Sequence, residues 1–76
     1  MSPAALHRRI IALLVEARRS RRITQAELGR RLGRSTSFVF RVEAGARHLD
    51  VAEFILLARA IGVDPYELLM QADQDA

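Results

Sequence analysis

Helix boundaries are written into this chain so closely that only short helices fit between them. Starts and stops recur throughout: Ser2-Pro3, Thr24-x-x-Glu27, Gly33, Ser35, Gly45, Asp50-x-x-Glu53, Gly62 and Asp64-Pro65-x-Glu67. Ser, Thr and Asp accept from the free N–H groups of a first turn, a Glu three residues on reciprocates, and Pro there forfeits no bond. Glycine supplies the left-handed residue that closes a helix. Between the marks, apolar residues keep helical spacing. Leu6, Ile10, Leu13, Leu14 and Ala17 form one face of the first segment, and Leu28 and Leu32 serve the second. Phe54, Leu57, Ala58 and Ile61 line the fourth, while Leu68 and Leu69 sit in the fifth. The pattern breaks in Arg18–Arg22, and a third helix runs from the Ser35 cap to roughly Ala44. No stretch alternates with period two, so no sheet is expected. The expectation is an all-α domain of five short helices.

With 76 residues the chain has room for one core and no second domain. Its residues are 50% hydrophobic and 28% charged, the balance of a folded soluble protein and not of a disordered tail. Cysteine is absent, which excludes disulfides, thiolate metal sites and thiol nucleophiles. His7 and His48 are far apart in sequence, with no ligand pattern around either, and read as surface residues; His48 is within reach of a phosphate. No nucleophile–base pair or Gly-rich phosphate loop is present, so we expect no enzyme, no metal and no cofactor. The apolar run Ile10–Val15 is too short to span a bilayer and no signal peptide is visible, so a cytoplasmic location without membrane association is expected. Residues 1–70 read as the domain and 71–76 as a short, frayed acidic tail.

Charge is unevenly distributed. Residues 1–47 hold eleven arginines against three glutamates, a net +8; residues 48–76 hold one arginine against six acids, a net −5. That split suggests a basic face for a polyanion and an acidic half turned away from it.

The third helix has an unusual outer side. Val39 and Val42 share one face of its wheel, flanked by Phe38 and Ser35; Ser37, Phe40, Arg41 and Ala44 line the other at i, i+3, i+4 and i+7. A solvated helix face is normally charged. A hydroxyl, a ring, a guanidinium and a methyl are instead groups that read base edges. On the wheel alone, Phe40 reads rather as a core residue of a helix buried on more than one side.

The neighbouring segment decides between these. The run Thr24-Gln25-Ala26-Glu27-Leu28-Gly29-Arg30-Arg31-Leu32-Gly33, followed by Ser35, Ser37, Val39, Arg41, Val42, Glu43 and Gly45, resembles the phage repressor and Cro-like (XRE-type) helix-turn-helix family. Ala60-Ile61-Gly62-Val63-Asp64 with Leu68-Leu69 is similar to that family's closing pair of helices, and the resemblance covers roughly residues 6–70. Gly29 lets two helices cross closely, and Gly33 supplies the positive φ of a sharp turn.

The resemblance implies a lambda-repressor-like DNA-binding domain whose helices two and three form the helix-turn-helix, the third lying in the major groove. Carried over, the base readers are Thr36, Ser37, Phe40 and Arg41. Gln25 and Arg47 match phosphate-binding positions, and Ser35 adds a hydroxyl contact to phosphate. Arg18 and Glu43 match a structural bridge from helix one to the end of helix three. The chain departs from the family at four places. Arg34 replaces an apolar turn residue, and either reaches a phosphate or lies along the core. Phe40 replaces a small or polar one, and packs on a thymine methyl or serves a protein partner. Arg22 replaces a frequent glycine, which puts the shape of its turn in question. Gly29 replaces the commoner alanine.

Apolar residues left over from the core are Ile11, Leu56, Tyr66 and Met70, and the last three suggest a homodimer through helix five and the end of helix four. The function expected is a sequence-specific double-stranded DNA-binding transcription regulator, a repressor on a palindromic operator. Activation through RNA polymerase, touched by Glu43 or Glu53, is the variant of this. The alternative is a protein-interaction module on the same fold, antitoxin-like or cofactor-binding, for which an exposed Phe40 would speak.

Overall fold

The computed structural model describes residues 1–75. Five helices follow in order: α1 (Pro3–Ser20), α2 (Gln25–Leu32), α3 (Thr36–Glu43), α4 (Val51–Ile61) and α5 (Pro65–Gln74). No strand occurs among the described residues. Each start is capped from its own side chain: Ser2, Thr24, Ser35, Asp50 and Asp64 all accept from a backbone N–H of the first turn. The Asp50–Glu53 box closes in both directions. The Thr24–Glu27 box is half made, because the Glu27 carboxylate pairs with Arg30 and Arg31 instead.

The turn after α2 fixes the angle at which α3 leaves. Gly33 sits at φ +67°, its N–H donates to Arg30 O at 3.1 Å, and Arg34 N–H donates back to Gly29 O at 2.8 Å. This paired closure satisfies the last carbonyls of α2 and sends the chain sharply into α3. The same pair of bonds ends α1, where Arg22 N–H reaches Arg19 O and Ile23 N–H reaches Arg18 O. There the left-handed residue is Arg22 itself, at φ +57°. The turn therefore keeps the form a glycine would give it, at the cost of a side chain in a region that disfavours one.

α1 packs against α5, α3 and α4; α2 lies on α3 and α4; α4 also meets α5. Leu28, Val39 and Val42 are fully buried at the centre. Burial on several sides of α1 explains one departure from the wheel. Ile11, set aside above as a leftover, is buried with Leu13 and Leu14, while Leu6 and Ile10 are half-buried. Ile23, between α1 and α2, is a core residue the spacing did not single out. The end of the chain also differs from expectation. α5 continues through Gln74, Ala72 is fully buried, and Arg9 pairs with Asp75, so no frayed tail begins at Gln71; Ala76 lies outside the described residues.

Candidate nucleic-acid interface

α3 is anchored from beneath. Phe38, Val39 and Val42 are buried, which leaves Ser37, Phe40, Arg41 and Ala44 on the open side. Phe40 is 58% exposed, so it is no core residue. The Arg41 guanidinium has no hydrogen-bond or ion-pair partner among the described residues. Thr36 and Ser37 stand exposed in the first turn. Ser35 Oγ accepts from Phe38 N–H at 3.1 Å, so this hydroxyl is spent on the cap, although its proton is still free to be donated outward.

A buried ion pair ties this helix to the rest. Arg18, 9% exposed in its side chain, donates through Nε to Glu43 Oε2 (2.6 Å) and through Nη2 to Glu43 Oε1 (2.9 Å). Its Nη1 caps the Ile23 carbonyl at 2.7 Å. Gln25 Nε2 donates to Glu43 Oε1 at 2.9 Å, so α1, α2 and α3 meet at one carboxylate. One amide hydrogen of Gln25 is thereby used, and the second has no partner among the described residues.

Arg34 and Arg47, from the segments just before and just after α3, converge on Phe38 and Glu53. Their guanidinium carbons lie over the Phe38 ring at 3.8 Å and 4.8 Å from its centroid. Arg47 grips Glu53 with both terminal nitrogens, Nη1 to Oε1 at 3.0 Å and Nη2 to Oε2 at 2.7 Å, and Arg34 Nη1 stands 3.7 Å from Oε2. Glu53 Oε1 also accepts the Asp50 N–H that completes the α4 cap. The Arg47 hydrogen bond, then the Asp50 N–H, hold the Glu53 carboxyl down at about 2, and the same bond raises Arg47 above its ordinary range. Of the two courses open to Arg34, the side chain takes neither alone: it stacks on a core-edge ring and keeps its charge beside a carboxylate.

Two further expectations change. Glu53 and Asp75 belong to the acidic half yet reach across to Arg47, Arg34 and Arg9, so that half does not simply face away. Glu43 and Glu53 are engaged by arginines and offer no free acidic surface to a polymerase. The histidines are brought together, ring centroids 4.5 Å apart, with His7 Nε2 buried and unpartnered. Burial, and then the neighbouring His48, push the His7 pKa down. No group of three or more potential metal-ligating His, Cys, Asp or Glu side chains gathers among the described residues, and no helix there is long and apolar enough to cross a membrane. Leu56, Tyr66 and Met70, the candidate dimer contacts, are all exposed.

The gathering of Arg34 and Arg47 on Glu53 and Phe38 is what motif reading missed. The only signal was Glu53's place in the capping box, which accounts for one of its oxygens and not for its arginine partners.

Comparison with known proteins agrees with this geometry. A family model described as helix-turn-helix matches residues 14–68. Among solved structures, an XRE-family like protein from Pseudomonas syringae pv. tomato str. DC3000 is similar over 95% of this chain and 88% of its own, with a TM-score of 0.91 and 46% identity. No curated protein matches.

Proposed function

The chain belongs to the XRE-type helix-turn-helix family of DNA-binding transcription regulators, and from that premise we propose that it is a cytoplasmic repressor that binds a palindromic operator as a homodimer. The observation that carries this is the open stripe of α3. Ser37, Phe40, Arg41 and Ala44 face outward while Val39 and Val42 hold the helix down. A helix laid in the major groove presents such a stripe to base edges. Arg41, with its fork unspent, takes a guanine; Thr36 and Ser37 contact bases near the N-terminus; Phe40 packs on a thymine methyl. Gln25, Ser35, Arg34 and Arg47 hold the phosphates around it. Leu56, Tyr66 and Met70 form the two-fold contact that spaces two such helices about 34 Å apart.

Selection of duplexes from a random pool, followed by binding of the Arg41→Ala variant to single-base variants of the selected site, tests the reading. The expected loss is about 1–3 kcal/mol, concentrated at one base position. A uniform loss across all variants would remove Arg41 from base reading, and indifference to every duplex would end the proposal. Sedimentation of the wild type and of Met70→Glu tests the dimer: a wild type that stays monomeric at micromolar concentration on operator DNA refutes it. Exposure of Phe40 favours one second reading, a protein partner seated on α3. Salt separates the two, since DNA binding weakens as ionic strength rises, with a slope of roughly −0.9 per phosphate neutralised.

A further inference from the structure

We infer that Glu53 is a positioning residue, which holds Arg47 and Arg34 ready for the phosphates on either side of α3. The inference rests on the DNA-binding reading above and adds a residue that is itself acidic and outside the helix-turn-helix. A guanidinium has two forks, one between its terminal nitrogens and one between Nε and Nη2. Glu53 occupies the first fork of Arg47, and the second hydrogen of Nη1 goes to His48 O at 3.0 Å. The Nε–H and the remaining Nη2 hydrogen have no partner among the described residues. They form a planar pair of donors of the shape that suits a phosphate. The Arg34 guanidinium makes no hydrogen bond within the described residues; it is placed by the Phe38 ring and by the Glu53 charge alone.

The carboxylate therefore serves two arginines and neutralises one, so the cluster remains positive. It fixes guanidinium planes that would otherwise sample many rotamers, and that ordering is complete before DNA arrives. The ring beneath adds a face that favours a weakly hydrated cation. The two arginines come from the turn ahead of α3 and the loop behind it, while Glu53 belongs to the first turn of α4. One side chain thus registers both flanks of the recognition helix against the domain.

The sign of the effect makes the inference testable. Deleting a negative charge from a DNA-binding protein should tighten binding if only net charge matters. Positioning demands the reverse. Glu53→Gln keeps an oxygen to accept the Asp50 N–H, and Gln at this place in a capping box supports the helix as Glu does. Affinity of the wild type, Glu53→Gln, Arg47→Lys and the double variant would be measured by fluorescence anisotropy on the selected site and its base variants, over a range of salt. Lysine keeps the charge of Arg47 and removes its forks. Glu53→Gln is expected to weaken binding about three- to tenfold, equally on every base variant, and to reduce the salt slope by about 1, as a lost phosphate contact does. In the Arg47→Lys background the same change should cost less, leaving only the share that acts through Arg34. Tighter or unchanged binding by Glu53→Gln overturns the inference, as does an undiminished loss in the lysine background. A wild type that binds no duplex would overturn instead the reading on which it rests.

Discussion

Replacement of Gly29 by alanine sets two opposing effects of known size against each other. Gly29 lies inside α2, where alanine should gain about 0.8–1 kcal/mol from helix propensity alone. A methyl there would stand 2.9 Å from the Arg34 carbonyl oxygen, 3.0 Å from the Ser35 oxygen and 3.2 Å from the Ser35 carbonyl carbon. All three are backbone atoms of the turn and lie inside the 3.4 Å at which ordinary contact begins. They cannot swing aside as a side chain would. Relief requires the turn to slide away from α2, which pulls on the 2.8 Å bond from Arg34 N–H to Gly29 O and on the Ser35 cap. Overpacking of this kind costs about 1–3 kcal/mol, and contacts to backbone place it in the upper part of that range. The net expectation is a loss of about 1–2 kcal/mol, or a fall in Tm of about 4–16 °C for a domain of this size. Thermal melts followed by circular dichroism measure it, and Gly29→Leu should be worse than Gly29→Ala. A rise in Tm for Gly29→Ala would show that the turn yields freely, and that close approach is not why glycine stands here.

Arg18→Ala leaves Glu43 half-buried without its partner and the Ile23 carbonyl without its donor; breaking a buried pair costs about 3–5 kcal/mol, against a total of about 4–11 kcal/mol for a chain of this length. Urea melts should show that loss, and a double Arg18→Met, Glu43→Leu variant should recover part of it; equal instability of single and double variants would refute the pairing argument. Stability should also depend on pH in two steps. His7 has its pKa lowered from 6.5 by burial and by His48, so the unfolded chain takes up the proton first, and stability complete above pH 6.5 declines as pH falls through it. Glu53 is held at about 2 against an ordinary 4.5, so its contribution is complete above pH 4.5 and disappears as pH falls toward 2. A His7→Asn variant should flatten the first step and leave the second; a first step unchanged in that variant would exclude His7 as its source.

Helix ends were legible in the chain because their causes are local. Each cap is a side chain three residues or fewer from the N–H it accepts, and each closing turn is built within six residues. Even the turn at Arg22 kept its form, since the pair of closing bonds imposes the left-handed residue whatever its side chain. The outward stripe of α3 was also legible, because a helix with one anchored face has a defined opposite face. The face of α1 was not, since a helix touched by three neighbours buries more than one stripe, and Ile11 falls between the stripes a wheel suggests. His7 and His48, forty-one residues apart in number and 4.5 Å apart in space, could be joined only by the packing of the α3–α4 loop onto α1.

Charge shows most clearly where counting along a chain stops being physics. Of the eleven arginines that make residues 1–47 basic, Arg9, Arg18, Arg30, Arg31, Arg34 and Arg47 stand beside a carboxylate. Two of the carboxylates, Glu53 and Asp75, come from the half that a sequence tally assigns to the opposite side. The formal +8 therefore overstates the field that a polyanion would meet. What pairing takes from the local field it returns in orientation. Arg18 is fully committed to the interior and contributes only to holding α3 in place. Arg47 and Arg34 keep donors free but have their planes set by Glu53 and Phe38. Arg41 alone stands unpaired on the outer face of α3. A long-range pull from the remaining unpaired arginines needs no geometry, whereas a phosphate fork and a base contact do. In this fold the acidic residues supply that geometry, so their removal would raise the charge and spoil the fit.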